Sequence, residues 1–131
     1  MSWTEQIPDN EILDKVTDKT VIFADKFGKH LGSGDRSEKM TTTQLRRFFG
    51  EVKRQQMNGY DKSKFILLKP QLAYAVGRAY QNKTGKKIED FYDVMTHAID
   101  LVSEEKHFEN FIKVFEAIVA YHKKYETQNQ E

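Results

Sequence analysis

The chain has 131 residues, of which 31% are charged and 38% hydrophobic, and its net charge is +1, values that favour one globular domain with a thin core. It contains no cysteine, which excludes a disulfide scaffold, a thiolate metal site and a cysteine nucleophile and makes a reducing cytoplasm the expected location. The first residues lack the basic and apolar regions of a signal peptide, and no apolar run approaches the ~20 residues that span a bilayer.

The hydrophobic spacing predicts five helices, and no alternating run of β-branched residues predicts a strand. Capping residues, prolines and glycine-rich stretches mark where these helices begin and end. The predicted helices extend, in chain order, from Asp9 or Asn10 through Phe27, from Thr41–Thr43 to about 58–61, from Pro70 to about Asn82, from about Ile88 through Val102, and from Phe108 through His122. Between the second and third helices, SKFILLKP is predicted to be a short apolar connector.

Each predicted helix has one apolar face, so we expect these faces to meet in a common core. In the last helix the expected core positions include Phe111 and Phe115, and His122 continues this face as a packed histidine rather than a metal ligand. The sequence therefore predicts an all-α fold, a single-domain bundle of about five helices over residues 1–131. The C-terminal residues, 126–131, are expected to be a frayed tail.

Charge is distributed unevenly along the chain. Residues 1–35 carry 4 basic and 7 acidic side chains, residues 36–87 carry 13 basic and 3 acidic, and residues 88–131 carry 4 basic and 10 acidic. The middle third therefore has a net charge of +10 between flanks of −3 and −6. A segment this basic indicates an anionic partner, with a solvated surface as the alternative explanation.

The second predicted helix, in TTTQLRRFFGEVKRQ, carries a buried stripe and a basic arc on different sides. On a helical wheel the stripe consists of Leu45, Phe48, Phe49 and Val52, the arc consists of Arg46, Arg47, Gly50, Lys53 and Arg54, and Glu51 lies outside the arc. Four like charges repel one another unless an anion neutralises them, and Gly50 costs about 0.5–1 kcal/mol of helix stability relative to alanine. A phosphate backbone explains both features, because arginines fork onto phosphates and glycine lets a strand approach closely. A solvated basic face with Gly50 at a helix contact is the alternative.

The third predicted helix carries a second candidate surface. Gln71, Tyr74, Arg78 and Gln81 share one of its faces, and Lys69 directly precedes its first proline. Because Tyr74 and Arg78 lie one turn apart, the tyrosine can stack on a base or sugar while the arginine binds a phosphate. The alternative is a tyrosine that lies in the core or at a subunit contact.

Residues that could support catalysis do not form a recognisable site. The four histidines form no HExxH pair, and no Walker loop, GxGxxG or GxSxG motif is present. Asp93 and His97 are spaced to share a metal ion, although a surface hydrogen bond explains them more simply. The carboxylate pairs Glu89–Asp90 and Glu104–Glu105 lack the apolar or basic setting that shifts a pKa. We therefore expect no enzymatic activity, no cofactor and no metal.

Three segments of the sequence together resemble a known family. They are TTTQLRRFFGEVKR, FILLKPQLAYAVGR at 65–78 and FENFIKVFEAIVAYHKKY at 108–125. In residues, order and spacing they resemble the small subunit of type III-A CRISPR–Cas (Csm) effector complexes, over about residues 40–125. The pattern LLKPxLAYAxGR is the most specific, because its small residues, tyrosine and arginine have no general helical reason to occur together.

This resemblance implies an all-helical protein without nuclease activity, which serves antiviral defence as part of an RNA-guided complex. Copies of such a subunit stack into a filament beside the backbone subunits and contact the guide and target RNA through the RNA backbone. RNA cleavage in these complexes belongs to the backbone subunit, and signalling and single-strand DNA cleavage belong to the large subunit. The positions that match the family's basic surface are Arg46, Arg47, Lys53, Arg54, Lys69 and Arg78.

These observations define a set of RNA-binding candidates within a basic, RNA-facing part at 36–87. The candidates are Arg46, Arg47, Gly50, Lys53, Arg54, Lys69, Tyr74 and Arg78. The expected partners are guide RNA, target RNA, further copies of the chain, and the backbone and large subunits, with no membrane partner. The alternative function is a helical protein-interaction module whose basic patch binds an acidic protein partner.

Overall fold

The structure, a computed structural model, describes the backbone of residues 2–128 and the side chains of residues 2–126, and this part of the chain contains helices and no strand. In chain order the helices are α1 (Trp3–Gln6), α2 (Asn10–Leu13), α3 (Asp18–Gly32), α4 (Thr42–Asn58), α5 (Lys62–Phe65), α6 (Leu68–Asn82), α7 (Ile88–Leu101) and α8 (Glu105–Gln128). The five long helices correspond to the five predicted ones, so the all-α prediction is confirmed. None of the described helices combines the length and apolar character that a membrane span requires.

The prediction of one continuous first helix is wrong, because the chain forms two separate helices there, α2 and α3. Thr17 is the N-cap of α3, and its hydroxyl oxygen accepts a hydrogen bond from the Lys19 amide at 3.2 Å. The buried carboxylate of Glu11 accepts from the amides of Thr17 and Thr20, at 2.7 and 3.0 Å. Glu11 of α2 thereby satisfies amides that a continuous helix would have satisfied, and the chain turns between the two helices.

The long helices meet in one connected hydrophobic core. Phe111 and Phe115 of α8 are buried as predicted, and their rings stack at a centroid distance of 6.3 Å. The Phe115 ring also lies edge-on to Phe48 of α4 at 5.3 Å, and 6.2 Å from Phe91 of α7. The aromatic contacts of α8 therefore connect the helix that carries the basic arc to the centre of the core.

Helices α3 and α8 approach each other closely along their length. Gly28 and Gly32 lie one turn apart on α3 and face α8. A Cβ atom on Gly28 would lie 2.6 Å from Tyr121 Cβ, and one on Gly32 would lie 3.0 Å from the Glu126 amide nitrogen. Because real Cβ atoms do not approach other heavy atoms within 3.0 Å, Gly28 has no room for a side chain and Gly32 has almost none.

Side chains in the C-terminal part of α8 form hydrogen bonds with residues at or just before the start of α4. His122 is buried, as predicted for a packed histidine, and its Nε2 lies 2.7 Å from the Met40 carbonyl oxygen. The Thr42 hydroxyl donates to the buried Glu126 carboxylate at 2.6 Å. Residue 126, where the predicted frayed tail begins, is helical and its side chain is buried, and residues 129–131 of that tail lie outside the described residues.

Candidate nucleic-acid interface

A groove of about 790 Å³ is formed by residues of α4 and α6, the loops that precede α4 and α7, and the first residue of α7. Its basic residues, the groove arginines, are Arg36, Arg47 and Arg78. Its apolar floor consists of Phe48, Leu72, Ala75, Ala79 and Ile88, which are buried or half-buried. Thr41, Thr43, Gln44, Pro70, Gln71, Tyr74, Asn82 and Thr84 complete the lining, and none of these described residues is acidic. The groove therefore combines an apolar floor with an unopposed positive rim.

Arg36 reaches the groove from a loop that is held by backbone pairing. The amides of Gly85, Lys86 and Lys87 donate to the carbonyl oxygens of Arg36, Ser37 and Glu38 at 3.2, 3.0 and 2.8 Å. At Gly85 the φ angle is +68°, and a Cβ atom there would lie 2.4 Å from Oε1 of Gln44. Glycine is therefore favoured at this turn by its backbone conformation, and a side chain here would also displace the Gln44 amide of α4.

The start of α4 is fixed by a capping box. The Thr41 hydroxyl oxygen accepts from the Gln44 amide at 3.1 Å, and the Gln44 side chain accepts from the Thr41 amide at 2.8 Å. Residues three apart on a helix share a face, so Arg47 follows Gln44 along the side of α4 that lines the groove.

Helix α6 forms the opposite side of the groove. Ala75 and Ala79 lie on the apolar floor, and Tyr74 and Arg78 each precede one of these alanines by one residue. The Tyr74 side chain is 70% exposed, so the alternative in which this tyrosine lies in the core is excluded. Helix α6 thus presents an aromatic ring and a guanidinium group beside a surface of small side chains.

The structure divides the predicted RNA-binding candidates into two groups. Arg47, Tyr74 and Arg78 come together in the groove, whereas the other five lie outside it. Of those five, Arg46 and Gly50 are exposed on α4.

Three of the candidate cations outside the groove bind carboxylates of the same chain. Lys53 Nζ lies 2.8 Å from Glu116 Oε2 of α8, and Lys69 pairs with Asp100 of α7. Arg54 pairs with Glu51, three residues earlier. Two of the four cations of the arc are therefore neutralised within the chain, Arg54 by Glu51 and Lys53 by Glu116 of α8.

The groove arginines differ from these paired cations. None of the three forms an ion pair with a carboxylate among the described side chains, residues 2–126. The sequence pattern does not single out Arg36, because the backbone pairing that brings its loop to the groove has no side-chain signature. Its position at the start of the basic middle third is the only sequence signal that points to it.

The family model for Csm2 Type III-A matches residues 14–128 of the chain. The chain belongs to the Csm2 Type III-A family. It is accordingly a small subunit of a type III-A CRISPR complex, as the resemblance of its three segments predicted. The match includes all residues of the groove, whereas α1 and α2 precede it. No curated protein and no solved structure matches the chain.

The residues considered for catalysis have other contacts in this Csm2-family chain. His97 Nε2 lies 2.8 Å from Asp9 Oδ1 of the N-terminal segment, so its partner is not Asp93. Burial, followed by repulsion from the Glu89 and Asp90 carboxylates, raises the pKa of Asp93 above its usual value. Among the described residues, no group of three or more histidine, aspartate or glutamate side chains is arranged to hold a metal ion.

Proposed function

We propose that this chain is a non-catalytic small subunit that stacks in several copies along the guide–target RNA duplex and holds the RNA backbone independently of sequence. The observation that carries the proposal is the groove, in which three arginines face solvent with no carboxylate among the lining residues. Arginine presents a planar fork of donors that matches a phosphate group. A duplex of any sequence can be held in this way, as an RNA-guided complex requires.

We propose that the paired cations, which form ion pairs within the chain, contribute to the same RNA-binding surface as the groove arginines. Lys53, Arg54 and Lys69 lie in ion pairs whose side chains are partly or largely exposed. An exposed ion pair stabilises a protein by only about 0–1 kcal/mol, so a phosphate can displace the carboxylate at small cost. We therefore propose that the groove arginines form the primary contacts and that the paired cations extend the contact along the strand.

Gly50 supports a close approach of the strand to α4. A Cβ atom at this position would meet nothing within 4 Å, so the fold itself has room for a side chain. The alternative, in which Gly50 permits a helix contact, has no support within the described chain. An exposed glycine inside a helix costs about 0.5–1 kcal/mol relative to alanine, and a strand lying against the backbone would account for it.

The uneven charge supports the proposed stacking. Acidic flanks of −3 and −6 on one copy can meet the +10 middle third of the next, and this complementarity would set the polarity of a filament. We further propose that the subunit works in the cytoplasm together with the backbone and large subunits, which carry the nuclease and signalling activities of the complex.

The test is target-RNA binding by the assembled complex at several salt concentrations. Replacing Arg47 and Arg78 with alanine should weaken binding about equally for unrelated target sequences. Each lost phosphate contact should also reduce the slope of log affinity against log salt by roughly 0.7–0.9. Gly50→Glu should weaken binding strongly, because it places bulk and negative charge where the strand comes closest.

The control is Lys113→Ala, which removes an exposed cation of α8 outside the basic middle third. It should leave both the affinity and the salt slope unchanged. A complex that contains the Arg47–Arg78 double variant, assembles normally and binds target with unchanged affinity and slope would contradict the proposal. In that case we would infer that the groove arginines and the paired cations bind an acidic protein partner.

A further inference from the structure

We infer that the groove holds an unpaired nucleotide, with its base on the apolar floor beside Tyr74 and its phosphates on the groove arginines. The inference rests on the proposed function and goes beyond it. A subunit that contacts only the backbone of a duplex needs positive charge but no apolar recess. The groove contains both, so its ligand should contain a flat apolar part as well as an anionic part.

The size and lining of the groove suit a planar ring. Ala75 and Ala79 occupy successive turns of α6, and their short side chains add little bulk to that part of the floor. The groove volume of about 790 Å³ lies within the range of about 300–1,000 Å³ that is usual for small-molecule sites. A base and its sugar therefore fit a recess of this size.

Tyr74 supplies the aromatic surface at the edge of this floor. Tyr74 is 70% exposed, so its ring is accessible to a ligand in the groove. Bases stack on aromatic side chains with little sequence preference, since every base has a π-face. A base held in this way must have left its own stack, which limits the ligand to single-stranded or extruded nucleotides.

An acidic peptide fits the groove less well than a nucleotide. An amphipathic helix docks through large apolar anchors spaced at i, i+3, i+4 and i+7, and it requires sockets to receive them. Two of the five residues of the apolar floor are instead alanines, and its three larger side chains are almost fully buried. In addition, the three charges on the rim are all arginines, which can bind a phosphate with two hydrogen bonds and stack on a base.

The experiment compares a single-stranded RNA that contains one 2-aminopurine with the same strand in an RNA duplex, each titrated with the purified full chain. The single strand should bind more tightly, and its fluorescence should fall as the base stacks on the protein. Tyr74→Ala should weaken binding of the single strand about tenfold, the scale of one lost stacking contact, and should leave the salt slope unchanged. Arg78→Ala should instead reduce the slope by roughly 0.7.

Tyr80→Ala is the matched control, because Tyr80 is also an exposed tyrosine of α6 but does not line the groove. It should bind the single strand as the unmodified chain does. Tyr74→Phe should retain the affinity, because the ring is kept.

Three outcomes would overturn the inference. The first is equal binding of single strand and duplex without a fluorescence change, which leaves the proposed backbone contacts intact. The second is no binding of either RNA up to about 100 µM chain, the weak end of ordinary non-specific binding. The third is equally tight binding of a glutamate-rich peptide that displaces the RNA. The proposed function is judged separately, by the salt slope of the assembled complex.

Discussion

Replacing Glu11 should destabilise the chain strongly, because its carboxylate joins α2 to α3. The side chain is 4% exposed and accepts hydrogen bonds from the Thr17 and Thr20 amides. The Thr20 hydroxyl donates to the same oxygen at 2.7 Å, and the Thr17 hydroxyl donates to both carboxylate oxygens at 2.9 Å. A single carboxylate thus satisfies two amides and two hydroxyls at the start of α3.

The size of the effect depends on which of these donors keeps a hydrogen-bond partner, in the protein or in water, when the Glu11 carboxylate is removed. Thr17 is exposed and can hydrate, and the Thr20 amide also donates to the Thr17 carbonyl oxygen at 3.0 Å, whereas the buried Thr20 hydroxyl would lose its acceptor in the Glu11→Ala variant. A buried donor that loses its acceptor costs about 1–3 kcal/mol, so the variant should lose about 2 kcal/mol of unfolding free energy. For a chain of this length, that loss corresponds to a fall in Tm of roughly 6–8 °C.

The effect should depend on pH in a defined direction. Burial alone would raise the pKa of Glu11, but the hydrogen bonds from Thr20 and Thr17 outweigh it and hold the pKa below the usual 4.5. The unfolded chain therefore binds this proton more readily than the folded chain does. The stability that Glu11 contributes is complete above about pH 4.5 and is lost as the pH falls through the folded-state pKa.

Urea unfolding of the full chain and of Glu11→Gln, at pH about 7 and about 3.5, measures this dependence. The difference in unfolding free energy between them should be smaller at the lower pH, where the carboxyl is increasingly protonated. The matched control is Glu5→Gln, an exposed glutamate, which should change stability by less than about 0.5 kcal/mol at either pH. A Glu11→Gln difference that is equal at both pH values would refute the assignment of the ionised carboxylate to this role.

Three further results are expected of the purified chain. Phe115→Ala should cost on the order of 3–5 kcal/mol in chemical unfolding, because its ring is fully buried, and an unchanged thermal midpoint would show that the predicted face of α8 is wrong. Gly28→Ala should destabilise by about 1–3 kcal/mol, whereas Gly50→Ala should stabilise by about 0.5–1 kcal/mol, and equal effects would contradict the close α3–α8 contact. The chain should cleave neither RNA nor DNA with magnesium or manganese, and cleavage that disappears on mutating Asp93 would overturn this expectation.

Hydrophobic periodicity predicted the long helices because each buries one regular stripe. Leu45, Phe48 and Val52 repeat at helical spacing, and all three are buried in α4. The break between α2 and α3 could not be predicted in the same way. It depends on the buried carboxylate of Glu11, and the periodicity of apolar residues carries no information about a buried acid.

The candidate interface was predicted only where its residues share a helix face. Tyr74 and Arg78 lie one turn apart on α6, so a wheel was sufficient to associate them. Arg36 joins them through a loop that is held by backbone hydrogen bonds, which any residue types can make. Lys53 and Lys69 find partners 63 and 31 residues away, and such pairs depend on the packing of helices that a single wheel does not describe.

These internal ion pairs also reduce the positive charge that one copy of the chain offers to RNA. The acid that neutralises Lys53 is Glu116, in the acidic C-terminal third, so part of the +10 charge is already balanced within one copy. If that carboxylate competes with RNA for Lys53, Glu116→Gln should release the cation. Target RNA should then bind the assembled complex a few-fold more tightly, with a salt slope steeper by up to roughly 0.7–0.9.

Glu109→Gln provides the matched control, because Glu109 is exposed on the same helix and forms no ion pair with the described residues. It removes one negative charge without releasing a cation, so it measures the long-range effect of charge alone. If both variants strengthen binding equally, Lys53 does not contact RNA and net charge explains the gain. If Glu116→Gln weakens binding instead, the ion pair acts by fixing α4 against α8, and the proposed RNA surface is confined to the groove.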